Sequence, residues 1–166
     1  MQKKQQIYTA KIIAEWFLSK IDYDAGDTIS PLKLQKLLYY AQAWSLAIFD
    51  RVLFEEDFEA WTHGPAIPSI YREYKQFAYD NIPHSNSKIK LDKEVEGLLD
   101  DIWAVYGERS AKYLENMTHS EKPWIETRGR LSLEAKCERI ISKNLMKNFY
   151  KKQFEELKKK TKKTPA

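Results

Sequence analysis

The segment ISPLKLQKLLYYAQAW at residues 29–44 constrains the fold more than any other part of the chain. Ser30 can cap a helix, and Pro31 suits the first helical position because it has no amide hydrogen to leave unpaired. Small and apolar side chains then recur at helical spacing on one face: Leu34, Leu37, Leu38, Ala41, Ser45 and Ile48. Three side chains fall largely off that face: Lys33, Lys36 and Tyr40. The segment is therefore predicted to be a core helix with an exposed flank.

Capping residues and helical spacing predict further helices along the chain. They are expected after Thr9, from Pro68, and after Asp92, Ser110, Ser120 and Ser142. Residues 52–62 leave room for at most a small β-hairpin, and the last helix is expected to give way to a lysine-rich tail at residues 158–163. The predicted fold class is mainly α, with a single compact multi-helix domain at residues 1–150. The end of the last helix and the basic tail occupy residues 151–166.

Composition limits the classes of protein to which the chain can belong. Its 166 residues are enough to bury a core without metals or disulfides, and 43% of them are hydrophobic. Cys137 is the only cysteine, which excludes an internal disulfide and a thiolate zinc cluster. With no signal-peptide apolar region and no uncharged run long enough to span a bilayer, the protein is expected to be cytoplasmic and to avoid the membrane.

The positive charge lies in the tail. The formal net charge is +4, but residues 151–166 carry seven lysines and two glutamates, so residues 1–150 sum to −1. Nucleic-acid-binding domains usually carry their basic residues on the folded body. Nucleic acid is therefore not the favoured partner, although the tail has two interpretations: a solubilising helix end, or an electrostatic contact for an acidic partner or nucleic acid.

Catalytic and cofactor motifs are missing from the sequence. The three histidines show no metal-ligand spacing, no serine sits in a nucleophile elbow, and the five glycines form no phosphate loop. His63 and His119 each adjoin a short motif and could come together, so a small hydrolase is one alternative. The favoured interpretation is no enzymatic activity, no cofactor and no metal, and a converging set of perturbed titratable groups in a pocket would contradict it.

Aromatic residues suggest a binding surface instead. A chain of this size with ten tyrosines and five tryptophans cannot bury all of them, and protein interfaces favour both residue types. Four tyrosines lie beside the clearest apolar rows and are predicted to be exposed: Tyr39, Tyr40, Tyr71 and Tyr74.

The ordered motifs resemble a known family. The segment at 29–44 is followed by LFEEDFEAW at 53–61, HGPAIPSIY at 63–71, VYG at 105–107 and LENMTHSEKPW at 114–124. In this order they are similar to the Panacea domain family, the SocA-like antitoxins that include phage-associated GepA-type proteins. The resemblance covers roughly residues 8–150.

The resemblance implies a helical antitoxin that neutralises a cognate toxin, encoded next to it, by direct protein–protein binding. One branch of the family is similar to a proteolytic adaptor that delivers its toxin to the ClpXP protease. On the matching positions, the toxin-binding surface is predicted around the turn between the two main motifs: Lys33, Lys36, Tyr40, Trp61, His63 and Tyr71. The alternative is a DNA-binding autoregulator of its own operon, which would use the basic tail.

Overall fold

The fold is mainly α, as predicted, in a computed structural model that describes residues 5–78 and 80–163. Seven α-helices are found within these residues: α1 (Ala10–Ser19), α2 (Pro31–Phe49), α3 (Pro68–Tyr74), α4 (Lys93–Tyr106), α5 (Ala111–His119), α6 (Lys122–Arg128) and α7 (Lys143–Lys163). Three short strands accompany them: β1 (Phe58–Trp61), β2 (Gly64–Ala66) and β3 (Ile140–Ile141). No helix in the described part of the chain is both long and apolar enough to cross a membrane.

Side-chain caps begin most of the helices where the sequence indicates. The hydroxyls of Thr9, Ser30 and Ser110 and the carboxylate of Asp92 each accept a hydrogen bond from a backbone amide in the first turn. The predicted cap at Ser120 is wrong by one residue, because α6 begins after Glu121, which makes no side-chain cap bond. Capping therefore locates the start of a helix where the side chain accepts a hydrogen bond from a first-turn amide, as at four of the helices.

Helix α2 is the centre of the molecule and is enclosed on nearly all sides. It packs against α7, α4, α5, α1 and α3, as well as β2. Its two glutamines satisfy backbone groups of the flanking segments: Gln35 bonds both the amide and the carbonyl of Ile67, and Gln42 bonds the amide of Leu53 and the carbonyl of Phe54. A helix covered on nearly all sides must pair most of its polar groups inside the protein, and these glutamines do so.

The predicted exposed flank of α2 is wrong. Lys33, Lys36 and Tyr40 are all buried, as is Tyr39. The Lys33 ammonium donates to the carbonyl of Gly107 at 2.5 Å, and the Tyr40 hydroxyl donates to Oε1 of Glu121 at 2.5 Å. Residues distant in sequence therefore cover these polar side chains and bond to them, although helical spacing alone places the same side chains at the surface.

The three strands form a small antiparallel sheet in the order β2-β1-β3. The hairpin covers residues 58–66 and turns at Thr62 and His63, so the prediction of a hairpin near 52–62 is displaced. Phe54, in the displaced part, makes only an isolated bridge to Tyr8. Residue Ile140 then pairs with Glu59 across the sheet.

Helix α7 corrects the prediction for the tail. It remains helical to Lys163, whereas a lysine-rich tail was expected to replace it from residue 158. Earlier in the same helix, Met146 and Tyr150 are fully buried against the body. Residues 155–162 are exposed.

Candidate functional site

A surface groove lies where the start of α2, the β-hairpin and α3 meet. Its volume is about 890 Å³, and the segment at residues 136–138 closes one side. The side chains that matter for its chemistry are Lys36, Trp61, His63, Tyr71 and Glu115. We call this feature the hairpin groove.

The hairpin groove brings together four of the six residues predicted to bind a partner. Lys36, Trp61, His63 and Tyr71 all line it. Lys33 lies elsewhere, beside Gly107, and Tyr40 belongs to a buried tyrosine cluster. Lys33 and Tyr40 were assigned to the binding surface because they lie in the motif at 29–44. In the fold, their side chains instead bond residues that pack against α2.

The wall of the groove is aromatic. The rings of Trp61 and Tyr71 meet edge to face, with centroids 5.3 Å apart, and Nε1 of Trp61 donates to Oε1 of Glu59 at 2.9 Å. Tyr71 is 48% exposed. Of the four tyrosines predicted to lie at the surface, Tyr71 alone does so, since Tyr39, Tyr40 and Tyr74 are buried. A rigid aromatic pair with one open face is typical of a protein-binding anchor.

Lys36 forms the floor of the groove. Its ammonium donates to the carbonyl of Pro65 at 3.0 Å, which ties α2 to β2. Burial lowers the pKa of Lys36 to about 7, and the negative charge of Glu115 opposes only part of this shift. The buried amine is therefore close to losing its proton at neutral pH.

Gly64 explains why the motif has glycine before proline. The backbone at Gly64 has a φ of +104°, a conformation that L side chains rarely adopt. A Cβ atom there would also lie 2.6 Å from Cε of Lys36 and 2.7 Å from Oγ1 of Thr118. Only glycine therefore lets β2 approach α2 closely enough for the Lys36–Pro65 hydrogen bond.

Glu115 links α5 to the hairpin. Nδ1 of His63 lies 3.0 Å from Oε1 of Glu115, and the Lys112 ammonium lies 3.6 Å from the other carboxylate oxygen. Burial acts to raise the pKa of Glu115, but the hydrogen bond to His63 and the charge of Lys112 outweigh it, so the pKa falls below its usual value. The His63 side chain is 73% exposed, so its imidazole is open to a partner.

His119 lies beneath this pair. Its ring stacks on Trp124 with centroids 4.0 Å apart, and burial lowers the pKa of its imidazole against the attraction of Glu115. Nε2 of His119 is buried without a hydrogen-bond partner among the described residues. The two histidines that the sequence singles out thus both act on one carboxylate.

Titratable groups with displaced pKa values lie at or near the groove, and this is the kind of observation that counts against the non-enzymatic interpretation. Lys36, Glu115 and His119 all have displaced pKa values, and the first two line the groove. Each also has a contact within the protein that accounts for its position: a strand carbonyl, a histidine or a tryptophan ring. In the described part of the chain, no group of three or more His, Cys, Asp or Glu residues could hold a metal ion.

Two groups of residues in or near the groove were not predicted from the sequence. The segment at 136–138 has no motif, yet Lys136, Cys137 and Glu138 line the groove. The signal in the sequence was a lone cysteine between two charged residues, and the structure shows that this cysteine is buried. The second group is a buried cluster in which Tyr40 and Tyr150 both donate to Oε1 of Glu121. Burial raises the pKa of that carboxyl, and it comes from the same motif as His119.

The fold and the groove define a class of protein: a mainly helical domain with a small sheet that presents an aromatic, partly polar surface. The chain belongs to the antitoxin SocA-like, Panacea domain family, whose model matches residues 34–125. This confirms the resemblance drawn from the motifs, over a shorter stretch that runs from within α2 to within α6. The matched stretch contains every residue of the groove discussed above except those at 136–138. No curated protein and no solved structure matches the chain.

Proposed function

We propose that this protein is an antitoxin that neutralises a cognate toxin, encoded next to it, by direct and stoichiometric binding in the cytoplasm. The hairpin groove is the contact surface, and Trp61, His63 and Tyr71 are its exposed or partly exposed contacts. Membership of the SocA-like antitoxin family supports a toxin as the partner in general. The meeting of these three side chains at one groove is the observation that carries the proposal.

Binding accounts for the groove better than catalysis does. Trp61 and Tyr71 supply a large contact area that loses little conformational freedom, which is the usual basis of an interface hot spot. The titratable groups behind them connect elements: Lys36 joins α2 to β2, and Glu115 joins α5 to the hairpin turn. A network of this kind holds the turn rigid, so that little ordering is needed when a partner binds.

The proposal is tested by removing one exposed ring. Tyr71→Ala should weaken the complex with the neighbouring gene product by about 2 kcal/mol or more, roughly thirtyfold in Kd, with little change in thermal stability. The complex is purified after co-expression, and affinity is measured by titration calorimetry. Growth of cells that express the toxin gives the functional readout.

Tyr113→Ala is the matched control. Tyr113 is 46% exposed, close to the value for Tyr71, but it does not line the groove. Its loss should leave Kd within about twofold, since surface truncation outside an interface changes little. Equal losses for the two variants would place the contact elsewhere, and a neighbouring product that is harmless or never co-purifies would remove the proposal itself.

Two fates of the bound toxin are distinguished by its lifetime. We propose neutralisation by binding; delivery to ClpXP is the further step that the family resemblance implies for one branch. If binding suffices, cells lacking ClpXP still survive toxin expression when this protein is present. Toxin that disappears rapidly only when both this protein and ClpXP are present identifies an adaptor.

A further inference from the structure

The exposed end of α7 is a strongly basic helix that the proposed function leaves unused. Beyond Tyr150 the helix carries lysines at seven positions and two glutamates: Lys151, Lys152, Glu155, Glu156, Lys158, Lys159, Lys160, Lys162 and Lys163. All of these whose side chains are described are exposed. Since residues 1–150 sum to −1, the charge is concentrated on one element.

The helix presents this charge away from the body. Successive residues advance by about 100° around a helix, so Lys152 and Lys159 lie opposite the buried Tyr150. Lys158 and Lys162 lie close together on one flank of the helix, between the face of Tyr150 and the face of Lys159. Leu157, which is 54% exposed, and Thr161 lie on the same side of the helix as the buried Tyr150.

We propose that the end of α7 binds duplex nucleic acid through its phosphates, without reading the base sequence. A helix fits the major groove, and lysine ammonium groups pair with phosphate as point charges. The end of α7 contains no arginine, and no asparagine or glutamine beyond Gln153, so it lacks the planar side chains that pair with guanine and adenine edges in a fixed geometry. Lysine can also contact guanine, so the absence of sequence preference is measured directly below. The proposal does not depend on the toxin-binding function.

The observations favour duplex nucleic acid over three other anionic partners: an acidic protein, a membrane surface and a single strand. Protein interfaces are depleted in lysine and rely on aromatic or arginine anchors, whereas this segment has no arginine and its one aromatic ring, Phe154, is partly buried. A membrane-surface helix needs a broad apolar face, whereas Leu157, at 54% exposure, is the one large apolar side chain exposed beyond Tyr150 among the described residues. Single strands require open aromatic rings for stacking, but the Lys158 ammonium covers the ring of Phe154 at 4.4 Å.

The experiment measures binding of the full chain to a fluorescein-labelled DNA duplex by anisotropy across a salt series. If about four lysines contact phosphate, the affinity should fall roughly a hundredfold between 50 and 200 mM salt. Two duplexes of unrelated sequence should bind with Kd values within about threefold of each other. A protein that reads base sequence would instead bind its own site far more tightly than unrelated DNA.

A charge-matched pair of variants locates the contact. The first replaces Lys158, Lys159, Lys160 and Lys162 with glutamine, which keeps helix propensity and removes four charges. The control replaces Lys88, Lys90, Lys93 and Lys122, four exposed lysines on the body, in the same way. The first variant should lose affinity at least tenfold and flatten the salt dependence, and the control should stay within about threefold of the wild type.

Four results would overturn the proposal. These are no binding at low salt, equal losses in both variants, strong preference for one duplex sequence, and binding to anionic vesicles or polyaspartate but not to DNA. Circular dichroism and thermal unfolding of both variants confirm that the substitutions leave the fold in place. Toxin binding by the first variant should be unchanged, so failure here does not count against the antitoxin proposal.

Discussion

At the scale of single residues, the closest packing in the hairpin groove is between Gly64 and Lys36. A side chain at residue 64 would have to displace the Lys36 stem and the Thr118 hydroxyl while adopting a left-handed backbone conformation. The bond from Lys36 to the Pro65 carbonyl depends on that approach. One small residue therefore determines both the path of the turn and the position of the buried ammonium.

Gly64→Ala should destabilise the protein by about 2–4 kcal/mol, because it adds backbone strain to a steric overlap in a buried site. Chemical denaturation monitored by tryptophan fluorescence measures the loss. The control is Gly97→Ala in the interior of α4, where a Cβ meets nothing within 4 Å. That change should stabilise the fold by up to about 1 kcal/mol, since alanine is the better helix former. A Gly64 variant as stable as the wild type would show that the turn can relax.

At the scale of elements, α2 organises the molecule because five other helices and β2 pack on it. It spans Pro31–Phe49, and its buried residues include lysines, glutamines and tyrosines as well as leucines. Its start is set by Ser30, whose hydroxyl oxygen accepts a hydrogen bond from the amide of Lys33 at 3.2 Å. The groove floor at Lys36 is less than two turns from this cap.

Ser30→Ala should lower the free energy of unfolding by about 1 kcal/mol, because one amide of the first turn loses its acceptor. The thermal midpoint should fall by about 2–4 °C for a chain of this length. Ser87→Ala, in an exposed coil segment, is the control and should change stability by no more than about 0.5 kcal/mol. No difference between the two variants would indicate that tertiary packing alone holds the start of α2.

At the scale of the whole molecule, the buried titratable groups make stability depend on pH. Lys36 has a pKa of about 7 in the fold against an ordinary value of 10.5. Between these values the unfolded chain binds the proton more readily than the folded one, so rising pH stabilises the fold. Burial raises the pKa of the Tyr39, Tyr40 and Tyr150 hydroxyls, which has the opposite effect once unfolded tyrosines ionise near pH 10.

The free energy of unfolding should therefore rise from pH 7 to pH 9, with a slope from Lys36 of at most about 1.4 kcal/mol per pH unit. Below pH 7 both states keep the proton, so the contribution of Lys36 is constant there. Lys36→Met keeps the stem and removes the ammonium, and its unfolding energy should be flatter across the same range. A wild-type curve that falls between pH 7 and pH 9 would contradict the prediction even if the variant does not fold.

Local signals predicted the elements well because caps and helical spacing act over a few residues. Thr9, Ser30, Asp92 and Ser110 each begin a helix where the sequence indicates. The hairpin lies further along the chain than predicted, because a short run of aromatic residues does not specify which of its positions will pair. The strand β3 lies about eighty residues beyond its partner β1 and had no signal of its own.

The sequence by itself determined the positions of the main helices, the mainly α class and the family, since each depends on neighbouring residues or on the order of motifs. Tertiary structure decided which polar and aromatic side chains are exposed. Tyr40 and Tyr71 have similar chemistry, but α4, α7 and Glu121, just before α6, enclose Tyr40, whereas Tyr71 faces an open groove. Burial depends on what packs against a side chain, and those neighbours are brought together only by the folded chain.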